Sequence, residues 1–129
     1  MLDQPGALTI VAQTQRGGIA AFVLARRSGK QAHIVTLDVL PRWRRKGLGR
    51  RLMRRCENTL KAAGARMVQL ETAAGNSGAQ ALYEGLGYTC VRRLPRYYPT
   101  GEDAWLMRKA LTGSRRPARK AAVARSVRA

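Results

Sequence analysis

The chain has 129 residues, 45% of them hydrophobic, which limits it to one modest domain around a single core. Its 25 lysines and arginines outnumber 7 acids to give a formal net charge of +18, a field that attracts nucleic acid, phosphorylated cofactors or acidic proteins. No apolar run approaches the roughly 20 residues of a membrane span, and Asp3 and Pro5 stand where a secretory leader would carry cations and an apolar stretch, so a cytoplasmic protein with no membrane partner is expected.

In chain order, Ala7 to Gln13 and Ile19 to Arg26 are β-rich runs separated by Gly17-Gly18, the pattern of a hairpin. Gln31 to Leu40 sets Ile34, Thr36 and Asp38 against Val35, Leu37 and Val39, and Pro41 ends it. From Leu48 to Ala63 the period changes. Leu48, Leu52, Cys56 and Leu60 recur every four residues, the arginines take the other faces, and Gly64 follows as a C-terminal cap. Arg66 to Thr72 reads as a partly buried strand. Asn76 or Ser77 can then cap a short helix running to about Gly85, and strands Tyr88 to Tyr97 and Ala104 to Leu111 close the domain.

The order predicts a mixed α/β (α+β) fold, a mostly antiparallel sheet with helices packed on it, over residues 1–111. Residues 112–129 form a basic tail without apolar periodicity, expected to be disordered on its own and able to meet ribosomal RNA or another polyanion. Cys56 and Cys90 show neither metal-ligand nor redox spacing and are expected to be core thiols; no metal site is visible. His33, the only histidine, is expected at the surface. Trp43 and Trp105 are expected to pack, with Trp43 placed to cover the turn that follows it.

That turn, Arg44-Arg45-Lys46-Gly47-Leu48-Gly49, joins a strand to a helix through two glycines one residue apart. Its backbone can approach a ligand closely, and the first helical turn offers unpaired N–H groups at the positive end of the macrodipole. Five cations (Arg44, Arg45, Lys46, Arg50, Arg51) crowd the same end, each unfavourable by about 0.3–1 kcal/mol unless an anion docks. A solvated basic helix start fits the glycine spacing equally well. A dinucleotide fingerprint would need glycine at Leu52, and no phosphate loop ending in Gly-Lys-Ser/Thr is present.

The segment resembles the GCN5-related N-acetyltransferase superfamily, whose hallmark [QR]-x-x-G-x-[GA] is met by Arg44 to Gly49. The resemblance implies acetyl-CoA as donor, with Leu37, Asp38 and Val39 along the pantetheine arm and Arg44, Arg45, Lys46, Gly47, Leu48, Gly49 and Arg50 around the phosphates. Asn76 joins this cofactor set.

Further on, Glu71 ends a strand, Asn76 opens a helix, and Tyr83 lies two helical turns beyond. On residue type alone these are a strand end, a cap and a core aromatic. They also suit amine acetylation: an α-amine near ~7.7–8.0 needs only a weak base, and a tyrosine near ~10 can donate to a leaving thiolate near ~8.5. Leu70-Glu71, Asn76 and Ala81 to Tyr88 are similar to bacterial ribosomal-protein alanine N-acetyltransferases, which implies Glu71 as base and Tyr83 as acid. Tyr97-Tyr98 and Gly101-Glu102-Asp103-Ala104 are similar to the element that holds the peptide in N-terminal acetyltransferases.

The implied acceptor is a protein N-terminus, with a small amine as rival. A basic module that binds RNA or the ribosome on the same scaffold is the competing class, and a homodimer stays open. Members of the family begin with a strand and two helices that wall the acceptor site, and this chain is expected to be shortened there. It would then start upstream of Met1, complete the wall with a partner, or bind coenzyme A without catalysis.

Overall fold

The computed structural model describes residues 6–111 and, as a strand, residues 126–128. Strands β1 (Ala7–Gln13), β2 (Ile19–Ser28) and β3 (Gln31–Val39) form an antiparallel meander. A single 3-10 turn, Pro41–Trp43, leads to α1 (Leu48–Ala62). Strand β4 (Met67–Ala73), helix α2 (Ser77–Gly85), and strands β5 (Thr89–Leu94) and β6 (Ala104–Ala110) follow, and β7 (Ser126–Arg128) comes last. The sheet order is β5-β6-β4-β3-β2-β1-β7, antiparallel except where β3 meets β4 and β1 meets β7. The mixed, mostly antiparallel sheet read from the sequence is the observed one. Apart from 126–128, which pair with β1, the expected basic tail lies outside the described residues.

The core follows from the two periodicities. Ile10 and Ala12 of β1, Ala21, Val23 and Ala25 of β2, and Ile34 of β3 point to one face. Leu48, Leu52, Met53, Cys56 and Leu60 of α1 cover it, which leaves the helix arginines outside. Helix α1 ends as Gly64 predicts: the Gly64 amide donates to the Lys61 carbonyl and the Ala65 amide to that of Leu60. Glu57, the only acid of α1, is 6% exposed and receives the Tyr88 hydroxyl at 2.7 Å and Lys109 Nζ at 2.6 Å, which ties α1 to β6 and to the end of α2.

Two expectations change. Cys56 is buried but Cys90 is exposed, because β5 is the outermost strand and no helix covers it. The expected strand to Tyr97 stops at Leu94: Pro95 has no N–H to pair, and Arg96 turns to a left-handed φ of 51°.

Candidate active site

A cleft opens where two central strands part. Strand β3 pairs with β4 only from Gln31 to His33, opposite Met67 to Gln69, and then diverges from it. The divergence begins at a bulge: Ile34 pairs with Ala25 and Thr36 with Leu24, leaving Val35 as the extra residue. From there to Val39, β3 pairs with β2 on one edge while its other edge has no strand partner among the described residues. An amide-bearing chain can use those backbone groups. The bulge also swaps the faces, so that Ala32 and Ile34 point to the core and Leu37 and Val39 then line the cleft.

The resulting cavity is about 630 Å³. Of the predicted ligand-holding residues, Leu37, Asp38, Val39, Arg44, Arg45, Gly47, Leu48, Gly49, Arg50 and Asn76 line it, and Lys46 does not. Trp43, Gly78, Ala79 and Leu82 line it too and were not among the expected site residues. A Cβ on Gly49 would already touch Leu82, Leu37 and Val39 at 3.5–3.7 Å, so a small residue lets α1, α2 and β3 converge.

At the mouth, Arg45 (φ 63°) and Gly47 (φ 78°) both take left-handed backbone conformations. Gly47 caps α1 without a side-chain hydrogen bond, and no acid lies in the first helical turn, so its amides remain available to a ligand. Arg44 Nε donates to the Val39 carbonyl at 2.7 Å and anchors the turn to the end of β3. Free amides, a helix N-terminus and exposed guanidinium groups make a donor set that fits a pyrophosphate, and the open β3 edge fits the arm behind it.

Tyr83 also lines the cavity at 8% exposure, and burial, then the nearby Tyr98, push its hydroxyl above the usual tyrosine range. Its ring meets Tyr88 edge-on at 5.9 Å. Gly87 (φ 103°) makes that contact by turning the chain, so that the Tyr88 amide donates back to the Tyr83 carbonyl. Asn76 caps α2, its Oδ1 accepting from the Ala79 amide at 3.0 Å, and it borders the cavity as well.

Glu71 does not line the cavity. It sits on β4 beyond the point of divergence, and its Oε1 lies 2.7 Å from His33 Nε2. His33 therefore partners Glu71, although its side chain is 38% exposed as a surface residue would be. The pair is 38 residues apart in sequence, and only the β3/β4 pairing brings it together. Tyr97 and Tyr98 stack edge-on at 4.9 Å, and both hydroxyls are pushed up, first by burial and then by neighbours that include Glu71. Tyr98 thus acts on Tyr83 and is itself acted on by Glu71. Glu102 Oε2 accepts the Gly75 amide at 3.0 Å, fastening the loop that carries these tyrosines to the start of α2. Among the described residues no cluster of His, Cys, Asp and Glu could hold a metal ion, and no helix is long and apolar enough to cross a membrane.

Residues 1–88 match the model of the acetyltransferase (GNAT) family. The [ribosomal protein bS18]-alanine N-acetyltransferase of Escherichia coli (strain K12) is 37% identical over 97 residues, which cover 73% of this chain and 66% of that protein, just under two thirds of its length. Among solved structures, nourseothricin acetyltransferase aligns with a TM-score of 0.79 at 28% identity, over 87% of this chain and 69% of that one. The NatB acetyltransferase complex bound to CoA and MES aligns with a TM-score of 0.69 at 30% identity, over 78% and 71%.

Proposed function

The chain belongs to the acetyltransferase (GNAT) family, and on that footing we propose that it moves an acetyl group from acetyl-CoA to a protein N-terminal α-amine of the ribosomal-protein type, by direct attack in a ternary complex. The observation that carries this reading is the cleft between β3 and α2, lined both by a left-handed basic turn and by the buried Tyr83.

When bound, acetyl-CoA supplies the activated thioester. The amides from Leu48 onward, with Arg45 and Arg50, would hold the phosphates, and the edge of β3 from Leu37 to Val39 that β4 leaves uncovered would align the arm, the Val39 carbonyl being held by Arg44. Tyr83 is kept protonated by burial and donates to the departing sulfur. Glu71, behind the cavity wall and oriented by His33, takes the amine proton through an intervening water. Tyr97 and Tyr98 border the approach of the peptide.

A small-molecule amine is the second reading, favoured by the TM-score of 0.79 with nourseothricin acetyltransferase. One assay separates the two. Acetylation of peptides beginning with alanine, with little transfer to aminoglycoside-sized or nucleoside-linked amines, is the expected outcome. Transfer to small amines alone would reverse the acceptor. Absence of thermal stabilisation by millimolar coenzyme A would remove the donor assignment as well.

A further inference from the structure

Helix α1 carries more arginine than the cleft uses. Arg51, Arg54, Arg55 and Asn58 are exposed and recur at i, i+3, i+4 and i+7, which makes one outward row on the side of the helix away from its buried stripe. The helix has a single acid, Glu57, and that is turned inward to Lys109 and Tyr88. Arg54 and Arg55 take no part in the acetyl-CoA cleft. Arg54 and Asn58 instead border a separate hollow of about 330 Å³ together with Glu57 and Lys109.

We propose that this outward face of α1 docks the phosphate backbone of a nucleic-acid duplex, separately from the acetyl-transfer cleft and whatever acceptor that cleft serves. The partner's chemistry follows from three features. Arginine forks pair bidentately with phosphate, and the basic residues of this row are all arginine. Arg51 and Arg55 stand one turn apart, about 6 Å along the axis, so their guanidinium groups can meet different phosphates of one strand. The face also lacks an apolar anchor: the exposed large hydrophobics Ile19, Val35, Leu40, Val91 and Tyr97 all lie off α1. A protein partner or a bilayer would need such an anchor, and a polyphosphate does not.

The test uses the full chain and a labelled short RNA duplex, followed by fluorescence anisotropy, with a DNA duplex of the same length and anionic phospholipid vesicles as parallel arms. Affinity for the RNA should fall about fortyfold between roughly 50 and 200 mM salt, as for the three arginines of the row on three phosphates. The double variant Arg54→Glu/Arg55→Glu should bind more than tenfold more weakly with a salt slope shallower by about two, while its thermal stabilisation by coenzyme A stays that of the parent. Equal binding of the DNA duplex supports recognition of the shared phosphate backbone, and a preference for RNA supports recognition of its A-form spacing. The proposal is overturned if the double variant binds as the parent does while Arg115→Ala/Arg116→Ala/Arg119→Ala/Lys120→Ala loses binding, because the tail would then be the contact. It is overturned equally if vesicles bind and neither duplex does.

Discussion

Tyr83 and Arg45 both line one cavity, and their chemistry separates their effects. Tyr83 offers a single hydroxyl at a site already closed by burial, so Tyr83→Phe keeps the packing and removes only the hydroxyl proposed as proton donor. Turnover should fall by about 10²–10⁴-fold with coenzyme A affinity changed less than threefold, as read from steady-state kinetics beside calorimetric binding. Arg45 is exposed, and nothing in the acid–base chemistry depends on it. Arg45→Glu should raise the coenzyme A Kd by about tenfold or more, an effect that shrinks in high salt, with kcat at saturating donor largely kept. Equal losses in both parameters for either variant would contradict the assignment. Asn76 shows why residue type was ambiguous in the sequence: it is both the helix cap and part of the cavity wall.

Elements decide how these residues meet. The loop between β5 and β6 carries Tyr97 and Tyr98, and its connection to α2 is the Glu102–Gly75 hydrogen bond, supported by the Ala74 amide on the Asp103 carbonyl. A Cβ on Gly75 would lie 2.8 Å from Glu102 Oε2, so a larger residue there would push the carboxylate aside. Releasing this clasp should loosen the acceptor side while leaving the phosphate turn intact. Glu102→Ala is expected to raise the peptide KM several-fold with coenzyme A binding unchanged, and a change in donor affinity instead would refute the separation. Helix limits, caps and the basic turn that lines the cavity were legible because they depend on local periodicity and backbone preferences. The stop of β5 at Leu94 was legible in principle from Pro95, but the tyrosines beyond it have strand-forming side chains that masked the break.

At the scale of the molecule, the Glu57–Lys109–Tyr88 contact joins α1 to β6 across the core. Lys109→Met would leave Glu57 with Tyr88 alone at a position 7% exposed on its side chain. A loss of about 1–3 kcal/mol is expected, measured as a lower denaturation midpoint at constant m-value, with activity retained in the folded fraction. Alkaline stability carries its own signature. Burial, then Glu57, pushes the Cys56 thiol from 9.0 up to about 12, and burial with Glu57 also raises the Tyr88 hydroxyl. Below pH 9 the folded and unfolded states both keep the thiol proton. Between about 9 and 12 only the folded state keeps it, so stability should fall as pH rises through that window, by at most about 4 kcal/mol from Cys56. Cys56→Ala should flatten this slope even though it lowers stability at neutral pH, and an unchanged slope would rule the thiol out as its source.

The sequence by itself determined the order of elements, the stripe of α1, the basic turn after β3 and the family resemblance those segments carry, because each is encoded over a few neighbouring residues by period, charge and glycine position. Only the tertiary structure decided that β3 and β4 part after His33, that His33 reaches Glu71, and that Cys90 faces outward. Strand pairing and edge position arise between segments tens of residues apart, where no local preference specifies which backbone edge will find a partner.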